Sequence, residues 1–150
     1  MNAPDLSRVL VAGLGVTGRA VVEALQARNS EVLAVDDQPT SVATVAQELR
    51  VELLDSSSAT ELERAFSGIT SVVPSPGIPC HHLLYRLADA SGVEILSELD
   101  LAALWNDRPC AAVTGTNGKT TVTELTTQML LASGMQAAAV GNTDIPFVSA

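Results

Sequence analysis

Residues 8–18 read Arg8-Val9-Leu10-Val11-Ala12-Gly13-Leu14-Gly15-Val16-Thr17-Gly18, and this stretch decides the fold. The β-branched apolar run at its start fits a buried strand. The three glycines that follow have GxGxxG spacing and open a segment with helical periodicity. Asp36 closes the next apolar run, about 20 residues on, where a strand–glycine turn–helix unit places an acidic group. Each glycine answers a separate need. The first permits the tight turn, the second lets a pyrophosphate approach the backbone, and the third lets the helix pack close to the sheet. An anion at the helix N-terminus is then favoured. The turn alone does not choose between NAD, FAD and another diphosphate such as a nucleotide sugar, and a turn serving only strand–helix packing is the plainer alternative.

Outward from this unit, short β-branched runs alternate with helix-like segments along the whole chain. That alternation makes the fold class α/β, a Rossmann-like parallel sheet with flanking helices. The pattern predicts strands at 8–12, 31–35, 51–54, 71–73, 93–96, 111–114 and 136–140. It predicts helices at 17–27, 42–49, 59–66, 82–90, 98–105 and 119–132. Ser58 with Glu61 fits a capping box, and Ser97 with Asp100 has related spacing. Gly92 and Gly134 stand where left-handed C-terminal caps belong. The polar stretch Trp105-Asn106-Asp107-Arg108-Pro109 is read as a domain junction, dividing the chain into 1–105 and 106–150.

Composition narrows the function. The 150 residues are 47% apolar and 17% charged, which favours a packed core over disorder. A net charge of −9 with only 8 Lys and Arg argues against nucleic acid or an anionic membrane as a partner. Any phosphate site must therefore be local. Cys80 and Cys110 have neither disulfide nor zinc spacing and are expected to be buried or incidental thiols. His81-His82 reads as a solvated turn rather than a metal site. Nothing resembles a signal peptide or a membrane span, so a cytoplasmic protein without membrane insertion is expected.

A second glycine-rich loop carries more specific chemistry. Ala111-Ala112-Val113 runs into Thr114-Gly115-Thr116-Asn117-Gly118-Lys119-Thr120-Thr121 and then a long apolar-periodic helix. This is the pattern of a phosphate loop, although Val113 occupies the first glycine position of the strict form. Backbone amides of Gly115, Thr116, Asn117 and Gly118 can wrap a β-phosphate, and Lys119 brings a positive charge to the β/γ oxygens. The Thr120 hydroxyl can ligate Mg2+, with Thr121 beside it. ATP is the expected ligand, which moves the reading away from a nicotinamide dehydrogenase.

Together, GLGVTG, Ser75-Pro76-Gly77-Ile78-Pro79, Ser97-Glu98-Leu99-Asp100, TGTNGKTT and Gly141-Asn142 resemble the Mur ligases, in the expected order over the whole chain. Within that family the resemblance is strongest to the ligases that add D-glutamate to UDP-N-acetylmuramoyl-L-alanine. It implies a Rossmann-like domain for the UDP end of the substrate, followed by the start of a P-loop ATPase domain, here incomplete. By this resemblance Gly15, Val16 and Thr17 would meet the UDP diphosphate, Asp36 the uracil, and Ser75 and Gly77 the same cleft. Asn142 would meet the muramoyl-peptide side. Lys119 would serve catalysis at the ATP γ-phosphate, with Mg2+ on Thr120, in amide formation through an acyl phosphate.

The sequence departs from the family pattern at Asp36-Asp37-Gln38, where a basic residue is common, at Gly141-Asn142-Thr143-Asp144, where the last position is usually glycine, and at Pro74. The chain is expected to be the N-terminal portion of a longer enzyme, inactive alone, with the D-glutamate site elsewhere. The alternatives are a stand-alone nucleotide-binding module and an NAD-dependent oxidoreductase fragment.

Overall fold

The computed structural model describes residues 3–141 and 145–150. Five strands form one parallel sheet in the order β3-β2-β1-β4-β5: β1 (Arg8–Ala12), β2 (Glu31–Asp36), β3 (Glu52–Asp55), β4 (Ser71–Pro74) and β5 (Glu94–Ile95). The connecting helices are α1 (Val16–Gln26), α2 (Pro39–Leu49), α3 (Ala59–Phe66) and α4 (Leu83–Ser91), and α5 (Glu98–Trp105) follows β5. The order reverses at β1, whose next strand in sequence lies on one side and β4 on the other. Such a switch point opens a crevice at the C-terminal ends of the strands.

Strand alternation divides the core between the two faces. Val9, Val11, Ala34 and Val73 turn to one face with Val21, Val22, Leu25 and Leu101. Leu10, Leu33, Val35, Leu54 and Val72 turn to the other with Leu62, Phe66 and Leu84. Burial on both faces is why the strands read as continuous apolar runs. Each fully buried leucine contributes roughly 1.5–3 kcal/mol from removal from water.

Local chemistry sets the element ends. Pro39 stands at the start of α2, where its fixed φ is preformed and its missing N–H costs nothing, so the helix begins three residues before the predicted 42. Ser97 and Asp100 make a full capping box on α5, whereas Ser58 caps α3 by accepting the Glu61 amide. Gly92 ends α4 at φ 66°, as its position in the sequence implies.

The region after α5 departs from expectation. Residues 111–114 and 136–140, expected as strands, form none, and α6 (Lys119–Ala132) between them buries no residue. A strand needs a neighbour to take its backbone hydrogen bonds, and among the described residues neither segment has one. The chain returns to the sheet domain in a short 3-10 turn, Phe147–Ser149, which packs on α1 and α5. There the buried Glu98 carboxylate accepts the Val148 amide at 2.7 Å. No helix among the described residues is long and apolar enough to cross a membrane.

Candidate nucleotide sites

The glycine turn sits at the end of β1, inside the crevice. Gly13 adopts φ +87° and donates its N–H to the Val35 carbonyl at 2.8 Å, turning the chain out of the sheet. A side chain at Gly18 would overlap the Gly13 carbonyl, which is why the helix can lie so close only with glycine there. Gly15 precedes α1, and a Cβ on it would meet no atom within 4 Å. Its open side faces solvent, and nothing in the protein itself requires glycine there. No side chain caps the N-terminus of α1 and no acid lies in its first turn. The amides and the positive end of the helix dipole are left for an anion.

Facing the turn is the segment after β4. Ser75 N–H donates to the Ala12 carbonyl at 2.8 Å and Ser75 Oγ to the Gly13 carbonyl at 3.1 Å, and Ile78 N–H closes a turn on the Ser75 carbonyl at 3.0 Å. Gly13, Gly15, Val16 and Thr17 on one side and Ser75, Pro76, Gly77 and Ile78 on the other line a cleft of about 400 Å³. Gly15, Val16, Thr17, Ser75 and Gly77 are thus brought together from two segments some 60 residues apart, with Gly13, Pro76 and Ile78 beside them.

Asp36 stands at the β2 edge, outside this lining. Its Oδ2 accepts the Leu14 amide at 2.9 Å and its Oδ1 the Gln38 amide at 2.9 Å. The carboxylate therefore braces the glycine turn from the neighbouring strand. The cleft lining holds no titratable side chain. The carboxyls held below the usual carboxylate range lie elsewhere: Asp5 by the Ser7 amide, Asp55 by the Ser57 hydroxyl and Asp100 by the Ser97 hydroxyl. The arrangement suits binding rather than proton transfer.

The second loop precedes α6. Gly118 adopts φ +75° at the helix start, and Lys119 Nζ folds back over the loop to donate to the Gly115 carbonyl at 2.6 Å. Thr116, Asn117, Thr120 and Thr121 are exposed around it. A glycine turn thus feeds a 14-residue helix with no acid in its first turn, and the lysine ammonium lies over the turn. Asn142, with Thr143 and Asp144, lies outside the described residues.

Among the described residues no cluster of three or more His, Cys, Asp or Glu could hold a metal. Cys80 and Cys110 are free and exposed, so the buried alternative for these thiols does not hold. His82 is more than a solvated turn: it caps α4 and pairs with Asp37. Trp105 packs under Arg28, whose guanidinium carbon lies 3.9 Å from the ring centroid.

Residues 7–97 match the family model described as Mur ligase MurD-like, N-terminal domain. The chain belongs to the MurD-like Mur ligases. Three similar relatives are each named UDP-N-acetylmuramoylalanine--D-glutamate ligase. That of Mycolicibacterium vanbaalenii is 39% identical, over 94% of this chain and 30% of its own length. That of Thermoanaerobacter pseudethanolicus is 33% identical over 95% of this chain and 32% of its own. That of Syntrophus aciditrophicus is 36% identical over 94% and 32%. The MurD-like chain described here thus spans about a third of the length of the relatives it matches.

Proposed function

We propose that this chain carries the UDP-substrate site and the leading part of the ATP site of a cytoplasmic, ATP-dependent amide ligase of peptidoglycan precursor synthesis. The full enzyme would add D-glutamate to UDP-N-acetylmuramoyl-L-alanine. One observation carries the reading: the uncapped N-terminus of α1, with open space beyond Gly15, faces Ser75–Ile78 across a cleft without charged side chains. That geometry takes a diphosphate through backbone amides. The family and the names of the relatives favour UDP over a dinucleotide.

In this reading residues 1–105 bind the uridine nucleotide and residues 106–150 begin the P-loop domain. Gly15, Val16 and Thr17 hold the diphosphate, with Ser75 and Gly77 opposite, and Asp36 serves the uracil end. Gly115–Thr121 hold ATP, with Lys119 at the γ-phosphate and Thr120 on Mg2+, which supplies charge neutralisation during phosphoryl transfer. The alanyl carboxylate attacks the γ-phosphorus to give an acyl phosphate and ADP, and the D-glutamate amine then displaces phosphate to form the amide. The D-glutamate site is assigned to the length of the relatives that this chain does not span.

Calorimetric titration with UDP-N-acetylmuramoyl-L-alanine, with NADH in parallel, tests the reading. Binding of the UDP compound alone is expected. Binding of NADH alone would replace the ligase with an oxidoreductase, and binding of neither would remove the assignment of a self-sufficient uridine site.

A further inference from the structure

The segment between β4 and α4 is fastened at both ends. Its near end is tied to the glycine turn through Ser75, whose N–H and Oγ donate to the Ala12 and Gly13 carbonyls. Its far end reaches the loop after β2, where His82 Nε2 lies 3.1 Å from Asp37 Oδ1. In the sheet β1 lies between β2 and β4, so the segment passes over the end of β1, where the glycine turn sits. Between the two fastenings Pro76, Gly77 and Ile78 line the cleft. Local turns also shape the backbone here, from Ile78 N–H to the Ser75 carbonyl and from His82 N–H to the Pro79 carbonyl.

The surroundings of His82 fix its tautomer. Nδ1 accepts the Leu84 amide at 3.2 Å, capping α4. A neutral ring whose Nδ1 accepts carries its proton on Nε2, which therefore donates to the Asp37 carboxylate. The His82 side chain is 16% exposed and that of Asp37 54%, so the ring is the anchored partner and the carboxylate the reachable one. One imidazole thus joins the start of α4 to the tip of β2, across 45 residues of sequence.

We propose that His82 and Asp37 are a positioning pair whose hydrogen bond straps the Ser75–His82 segment over the glycine turn and sets the opening of the cleft for a nucleoside diphosphate. The proposal rests on the uridine-diphosphate reading of that cleft. Neither side chain needs to touch the ligand. Both act through the backbone of Pro76–Ile78, whose order in the free protein lowers the ordering cost paid on binding.

Three substitutions separate the strap from the helix cap and from charge. His82→Asn keeps a side chain that caps a helix but is too short to reach Asp37. Asp37→Asn keeps an acceptor for Nε2–H without the charge, and Asp37→Ala removes it. Two quantities are measured on the 150-residue chain: amide hydrogen exchange over residues 75–82 without ligand, and calorimetric affinity for UDP. His82→Asn and Asp37→Ala are each expected to speed exchange of the backbone amides at positions 78 and 82 and to weaken UDP by about 3- to 10-fold, the size of a modest ordering cost. The double variant should bind no more weakly than either single, because both break one contact. Asp37→Asn should bind as the parent does.

Unchanged exchange over residues 75–82 in His82→Asn would overturn the strap, whatever UDP does. Additive losses, or a loss in Asp37→Ala alone, would overturn it in favour of direct ligand contact by Asp37. If the parent chain fails to bind UDP while exchange responds as described, the uridine reading falls and the positioning role falls with it.

Discussion

The Asp36 carboxylate accepts the Leu14 amide at 2.9 Å, linking the end of β2 to the middle of the glycine turn. With its other oxygen on the Gln38 amide, one side chain holds two loops at the mouth of the crevice. In a sequence this acid reads as a ligand for a ribose or a base. In the structure it is a brace, and the geometry of the glycine turn depends on it.

Replacing Asp36 by alanine would leave the partly buried Leu14 amide without its partner, at a cost of about 1–2 kcal/mol. Urea unfolding should show that loss with an unchanged slope, and UDP affinity should fall as well. The Asp36→Asn substitution keeps one oxygen acceptor and should recover part of the stability. An Asp36→Ala chain as stable as its parent would remove the brace.

The glycines of the turn separate folding from binding. Alanine at Gly18 puts a Cβ onto the Gly13 carbonyl, and relieving that overlap should cost about 1–3 kcal/mol despite the helix propensity gained. Alanine at Gly15 meets nothing in the protein. Its thermal midpoint should therefore match the parent while UDP binding weakens, because the methyl group occupies the approach of the diphosphate. Equal effects of the two substitutions on stability would contradict this assignment.

The capping box of α5 gives a pH signature. The Ser97 hydroxyl, and after it the Ser97 amide, hold the Asp100 carboxyl below the usual carboxylate range. A carboxyl whose folded pKa is depressed binds fewer protons folded than unfolded. Its contribution is complete above the unfolded value of about 3.9 and is lost as pH falls through the lower folded value. Ser97→Ala removes the largest cause and the cap, and should cost about 1 kcal/mol near neutral pH. The gap between parent and variant should narrow below about pH 4. A gap that widens in acid would have the wrong sign for this cause.

Most of the sheet domain was legible because its signals are local. The apolar runs, the GxGxxG turn and the Ser97 cap all act over a few residues, and the expected limits of α3, α5 and α6 agree with those observed. Residues 111–114 and 136–140 misled for the same reason. Their apolar character satisfies strand propensity, but a strand is completed by a neighbour, which propensity does not report. The His82–Asp37 pair was invisible because its partners meet only through the sheet order, and no periodicity marks a contact of that separation. The brace role of Asp36 was hidden in the opposite way, since the pattern that finds the acid also assigns it to the ligand.

The absence of charge in the cleft lining leads to a last expectation, about salt. A diphosphate held by Lys or Arg loses affinity steeply as salt rises, because released counterions and direct charge attraction are both weakened. None of the residues lining the cleft is charged, and Arg19, just beyond the turn, is already paired with Glu23 at 3.4 Å and Glu48 at 3.0 Å. In the proposed site, what would hold the anion is short-range: amides and the first turn of α1. What acts at long range is the net charge of −9, which repels it. Raising ionic strength from about 0.01 to 0.15 M shortens the Debye length from about 30 to about 8 Å, screening the repulsion while leaving amide contacts intact. Calorimetric Kd values for UDP should therefore stay level or tighten slightly over that range. A Kd that rises tenfold would mean that a cationic side chain moves onto the diphosphate when it binds, and Arg19, released from its two glutamates, would be the first to replace.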